Sequence, residues 1–111
     1  MQSKLDKIPH LISFLENEPD NAFLRYALAM EYVQKKEDDN ALAQFELLQK
    51  AQNNYLPMYY HLAKLWERKQ NPQQALAIYE QGISLAKAQN NTHALAELQN
   101  AYNLLLFDSE E

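Results

Sequence analysis

Apolar positions recur at helical spacing in six stretches of this chain, and short polar breaks separate them. The first predicted helix spans about Lys7 to Asn17, where Ile8, Leu11, Ile12 and Leu15 share one face and Phe14 flanks it. Pro9 sets its start. A proline fits a helix only in the first turn, where its missing N–H has no partner, so Asp6 is the expected N-cap and Ser3 lies too far back. Glu18-Pro19-Asp20-Asn21 stops this helix and starts a second, about Asn21 to Lys36. Leu24, Ala27, Leu28, Ala29 and Val33 line its packing sides, with Tyr32 below. Asp38 or Asp39 is expected to cap a third helix, about residues 39 to 52, with Ala41, Leu42, Phe45, Leu47 and Leu48 inward. Asn53-Asn54 is its expected left-handed stop, a role asparagine can take in place of glycine. A fourth helix runs from about Pro57 to Lys69. Asn71-Pro72, a cap followed by proline at the first helical position, opens a fifth that carries Ala75, Leu76, Tyr79, Ile83 and Leu85 to about Ala88. Asn90-Asn91-Thr92 breaks it. A sixth, about 92 to 107, places Leu95, Leu98, Tyr102 and Leu105 at helical spacing. Connections of a few residues imply antiparallel neighbours, and no linker or low-complexity segment divides the chain.

Two of these helix pairs share one pattern. Arg25-x2-Leu28-Ala29-x2-Tyr32 followed by Ala41-x3-Phe45 recurs as Tyr59-x2-Leu62-Ala63-x2-Trp66 followed by Ala75-x3-Tyr79. At an offset of 34, residues 22–53 and 56–87 share eight identities: Tyr26/Tyr60, Leu28/Leu62, Ala29/Ala63, Lys35/Lys69, Ala41/Ala75, Leu42/Leu76, Ala43/Ala77 and Glu46/Glu80. Ala29 and Ala63 let a second helix approach closely, and Ala41 and Ala75 are the small residues opposite them. Phe45 and Tyr79 fill the space beside each pair, and Tyr32 and Trp66 close its end.

This large/small alternation at this period resembles the tetratricopeptide repeat family, over roughly residues 5–107. The chain as a whole looks like the small stand-alone repeat proteins of bacteria, which as a group lack an assigned activity. The resemblance implies an all-α superhelix, a solenoid of six antiparallel helices in one domain. Its parts would be a half repeat at 5–19, repeats at 21–53 and 56–89, a capping helix at 92–107 and an acidic tail at 108–111. Pro19 sits where the family often ends a repeat with proline. Three departures stand out. Leu48 occupies a position usually small, Asn53 and Lys87 replace the repeat-ending proline, and Gln99 replaces the small residue in the cap.

Composition narrows the function classes. Cysteine is absent, which removes disulfides, thiolate metal sites and thiol nucleophiles and fits a reducing, cytoplasmic setting. Net charge is −5 with no basic block, so phosphate neutralisation of nucleic acid is not expected. No signal peptide is expected, because Leu11-Ile12-Ser13-Phe14-Leu15 is too short and acids follow too soon. No apolar run approaches the ~20 residues of a membrane span. His10, His61 and His93 fall on different helices without metal-ligand spacing, and no serine, glycine loop or carboxylate pair has a catalytic context. No enzyme activity, cofactor or metal is therefore expected.

What remains is binding. Tetratricopeptide arrays typically hold an extended segment or a helix in a concave groove lined by the first helix of each pair. Carried onto this sequence, that lining is Phe23, Tyr26, Ala27, Met30, Tyr60, His61, Lys64 and Glu67, joined by His93, Glu97 and Asn100 from the cap. The Lys/Asn/Arg carboxylate clamp of some relatives is missing, because the matching positions hold Tyr26, Met30 and His61. Tyr26 and Tyr60 have two readings, groove contacts for a partner or packing between neighbouring helices; full burial of both rings would favour packing. Leu104, Leu105, Leu106 and Phe107 nearly encircle the last helix, which is either well buried or carries an apolar patch for a partner. The expected function is a protein–protein interaction module, adaptor or co-chaperone-like. The alternative is a homo-oligomeric assembly protein that uses its terminal helices.

Overall fold

The computed structural model describes residues 6–109. Leu5, where the half repeat was expected to begin, and Glu110 and Glu111 of the acidic tail lie outside them. The described residues form six α-helices and no strand: α1 (Ile8–Asn17), α2 (Ala22–Gln34), α3 (Asp38–Ala51), α4 (Pro57–Arg68), α5 (Pro72–Ala88) and α6 (Thr92–Ser109). They group into two compact units, one ending at Asn53 and the other beginning at Asn54.

In the first unit α1 packs on α2, and α2 on α3. Asp6 does its capping work from one residue further out than expected. Lys7 occupies the cap position without a side-chain bond, and Asp6 Oδ1 accepts the Ile8 N–H at 3.1 Å, which leaves Pro9 in the first turn. That same oxygen receives Lys35 Nζ at 3.2 Å, so the start of α1 meets the end of α2. The two donors hold the Asp6 carboxyl below the usual carboxylate range, the Ile8 N–H contributing most. Asn21 caps α2, its Oδ1 accepting the Leu24 N–H at 3.1 Å. For α3 the expected cap is displaced: Glu37 holds the cap position with no side-chain cap bond. Asp38 and Asp39 stand inside the first turn, where their charge favours the helix's positive end. Gln52, just past α3, donates from Nε2 to the Asp20 carbonyl at 2.9 Å, which puts the end of α3 beside the start of α2. Leu28, Ala29, Ala41, Phe45 and Leu48 are buried. Leu47, expected inward, is 51% exposed, because it lies about 100° around the helix from Leu48.

In the second unit α5 packs on both α4 and α6, and α4 also touches α6. Pro57 and Pro72 open α4 and α5 as expected, and Asn71 Oδ1 accepts the Gln74 N–H at 3.2 Å. Ala63, Ala75, Leu62 and Tyr79 are as buried as Ala29, Ala41, Leu28 and Phe45, so matching residues of the two repeats have matching surroundings. Gln89 Nε2 donates to the Asn54 carbonyl at 3.0 Å. Asn54 matches Asp20 at the repeat offset, but its donor comes three residues later than the repeat would place it. The reason is that α5 has 17 residues and α3 has 14, so the same tie is made one turn further on. Asn91 caps α6, accepting the Ala94 N–H at 3.0 Å. α6 runs past the expected end at 107, through Asp108 to Ser109. Leu98 and Ala101 anchor α6, whereas Leu104 is 65% and Phe107 62% exposed, so the last helix is not buried all round.

The left-handed stops also fall elsewhere than expected. Asn53 and Asn54 do not have positive φ, and Gln52 leaves α3 at φ −145°, ψ 72°. Lys36 (φ 60°), Gln70 (φ 61°) and Asn90 (φ 56°) take that role after α2, α4 and α5. Lys36 and Gln70 are repeat-equivalent and bond alike. Lys36 N–H reaches the Val33 carbonyl at 3.0 Å and Gln70 N–H the Glu67 carbonyl at 2.9 Å; Glu37 and Asn71 follow with bonds to Tyr32 and Trp66. A Cβ is disfavoured in this conformation. Lys36→Gly and Gln70→Gly are each expected to stabilise the chain by about 0.5–1 kcal/mol, after the larger unfolded-state freedom of glycine is subtracted. Urea unfolding of the two variants checks this.

Candidate functional site

The residues proposed to meet a partner divide between the two units. On α2, Phe23 is 65% exposed, and Tyr26 and Met30 are half-buried at i, i+4, so they share a stripe. On α4, Tyr60, Lys64 and Glu67 form the corresponding stripe, with His61 beside it. All four are half-buried, and neither Tyr26 nor Tyr60 is fully buried.

The α4 set is tightly organised. The Tyr60 and His61 rings meet edge to face, with centroids 5.3 Å apart. Lys64 Nζ lies 5.5 Å from the centre of the Tyr60 ring and 3.7 Å from Glu67 Oε2. The ammonium thus lies near both a π face and a carboxylate. The same Glu67 oxygen accepts the hydroxyl of Tyr79, which reaches out from the core on α5. Burial, then that bond and the Glu67 charge, push the Tyr79 hydroxyl far above the ordinary tyrosine range. Sequence reading placed Tyr79 in the core and Glu67 on the surface without joining them. The signal was present: at the repeat-equivalent positions Val33 and Phe45 are both apolar, and the hydroxyl and its acceptor enter together.

Burial holds the His61 imidazole below the ordinary histidine pKa, and the charge of Glu97 on α6 pulls it upward. Since its folded pKa lies below the unfolded value, His61 leaves stability unaffected well above pH ~6.5. Below that, the unfolded chain takes up the proton first and stability falls with pH through the folded pKa. Glu97→Gln is expected to lower the His61 pKa further. Imidazole proton shifts followed by NMR as the solution is acidified check this, and a rise would contradict the assignment of Glu97. His93, Glu97 and Asn100 are exposed on α6. Among the described residues no cluster of His, Asp or Glu could hold a metal ion, and no helix is long and apolar enough to cross a membrane.

No protein-family model matches the chain, and no curated protein matches it. Solved structures do. A tetratricopeptide repeat domain protein from Salinibacter ruber, solved by NMR, is 39% identical with a TM-score of 0.75, covering 78% of this chain and 88% of its own. A crystal structure of a tetratricopeptide repeat domain protein from the same organism is 39% identical with a TM-score of 0.74, covering 77% of this chain and 96% of its own. The chain belongs to the tetratricopeptide repeat family. A protein from Bordetella parapertussis, 22% identical with a TM-score of 0.80 over 97% of this chain and 91% of its own, shares the fold. The tetratricopeptide fold is a helical-repeat, non-catalytic architecture of the kind that mediates protein–protein interaction.

Proposed function

We propose that this chain is an adaptor-like interaction module in which the first helix of each repeat offers a contact surface to a partner protein. Phe23, Tyr26 and Met30 supply one such surface on α2, and Tyr60, His61, Lys64 and Glu67, with Glu97 of α6, supply another on α4. The observation that supports this most is the preset Tyr60–Lys64–Glu67 arrangement. An aromatic face, a cation and an anion are fixed in place yet remain open to solvent, which suits recognition better than stability. Tyrosine and methionine add adaptable contact area at low entropic cost.

The test is selection of binding peptides from a random library, followed by NMR mapping on the intact chain. Shifts confined to the α2 and α4 stripes, and about tenfold or greater weakening by Tyr26→Ala or Tyr60→Ala, support the proposal. Unchanged affinity in both variants would end it. A second reading, self-association through the terminal helix, is favoured by the exposure of Leu104 and Phe107. Light scattering over a concentration series separates the two, since a monomer at every concentration removes the second.

A further inference from the structure

The first unit carries a cavity open to solvent, a cleft of about 340 Å³ among α1, α2 and α3. That is within the roughly 300–1,000 Å³ of small-molecule sites, at the small end. Its floor is Leu15 and Leu28, both buried, and its walls include Ile12 and Tyr32. One corner is polar. Arg25 Nη1 donates to Gln44 Oε1 at 2.8 Å, and Arg25 Nη2 donates to the Pro19 carbonyl at 3.1 Å. Glu16 of α1 stands at the rim.

The cavity marks a departure of the unit from its own repeat. At the positions matching Arg25 and Gln44, the second repeat holds Tyr59 and Ile78, both buried. A bulky apolar pair has given way to a polar pair with open space beside it. The polar pair is oriented rather than loose, because two bonds fix the plane of the guanidinium. A guanidinium has five N–H donors and a carboxamide two, so the corner still offers several to a guest. Such a corner beside an apolar floor selects a carboxylate attached to an apolar body. Glu16 adds the opposite charge, which matches an ammonium on the same guest. We propose that this cavity binds a free α-amino acid with an aliphatic side chain. Its carboxylate meets Arg25 and Gln44, its ammonium meets Glu16, and its side chain rests on Leu15 and Leu28. None of Phe23, Tyr26 or Met30 lines this cavity, so the inference stands apart from the partner surface.

The test is an NMR titration of the intact chain with L-leucine. Saturable shifts are expected at Leu15, Leu28 and Tyr32. Leucinamide, which lacks the carboxylate, and 4-methylpentanoate, which lacks the ammonium, should each bind about tenfold more weakly or worse. Arg25→Gln should weaken leucine by a similar factor, with an unfolding curve to confirm that the variant is folded. Glu16→Gln alters an exposed side chain, and it should weaken leucine while leaving 4-methylpentanoate unchanged or tighter. Any of three results would overturn the proposal: no saturable shift at about 10 mM leucine, equal binding of leucine and 4-methylpentanoate, or leucine affinity unaffected by Glu16→Gln.

Discussion

Gly82→Leu is expected to lower the unfolding free energy by about 3 kcal/mol, and Gly82→Ala by about 1 kcal/mol. Gly82 is the only glycine in the chain and sits in the middle of α5, where glycine is about 1 kcal/mol worse than alanine. Its φ is not positive, so backbone freedom does not explain it. Space does. A Cβ there would stand 2.8 Å from Tyr59 Cβ and 3.2 Å from both Leu98 methyl carbons. The Leu98 methyls can turn away. Tyr59 Cβ cannot move without the α4 backbone, so even one methyl group separates α4 from α5. The propensity gained by alanine offsets part of that penalty, and leucine gains nothing that matches its added bulk. In the first repeat the positions of Tyr59 and Gly82 hold Arg25 and Leu48, which flank a small void of about 10 Å³. The second repeat sets a large aromatic residue against glycine there, and the first sets arginine against leucine. Urea unfolding followed by circular dichroism measures the effect. A Gly82→Leu variant as stable as the parent would mean that α4 and α5 are not in close contact there.

This difference between the repeats shows how far the sequence could be read. The 34-residue offset carried the architecture, because the residues that define it are buried alanines, leucines and aromatics whose sizes must match within each hairpin. Asn71-Pro72 was legible as a cap because its chemistry is local. Leu48 was legible as a departure, but its meaning was not, since it depends on Arg25 across the hairpin. The helix stops at Lys36 and Gln70 were missed for a different reason. Neither residue type prefers left-handed backbone, and the geometry is imposed by the bonds that the next residues make to Tyr32 and Trp66. On α4, the family resemblance placed Tyr60, Lys64 and Glu67 together in the expected lining. It could not place the Tyr79 hydroxyl beside them, because that contact joins two helices and depends on their crossing.

Removing the Glu67 carboxylate with Glu67→Val is expected to destabilise the chain by about 1–3 kcal/mol, because the Tyr79 hydroxyl then lies buried without its acceptor. Tyr79→Phe alone should be milder, since Glu67 is half-buried and retains Lys64. The double variant Glu67→Val/Tyr79→Phe recreates the Val33/Phe45 pair of the first repeat and is expected to recover most of the loss. A coupling of about 1 kcal/mol or more in this cycle would show that hydroxyl and carboxylate act as a unit, and strict additivity would show that they do not. High pH gives an independent readout. The folded state holds the Tyr79 proton far above pH 10, whereas the unfolded chain releases it near that value. The Tyr79 contribution is therefore intact below about pH 10 and declines as the solution becomes more alkaline, by up to about 1.4 kcal/mol per pH unit. Tyr55 and Tyr102, also raised, steepen the parent's decline in the same direction. Tyr79→Phe should flatten it by the Tyr79 share, and an unchanged slope would mean that this hydroxyl ionises as freely in the fold as in the open chain.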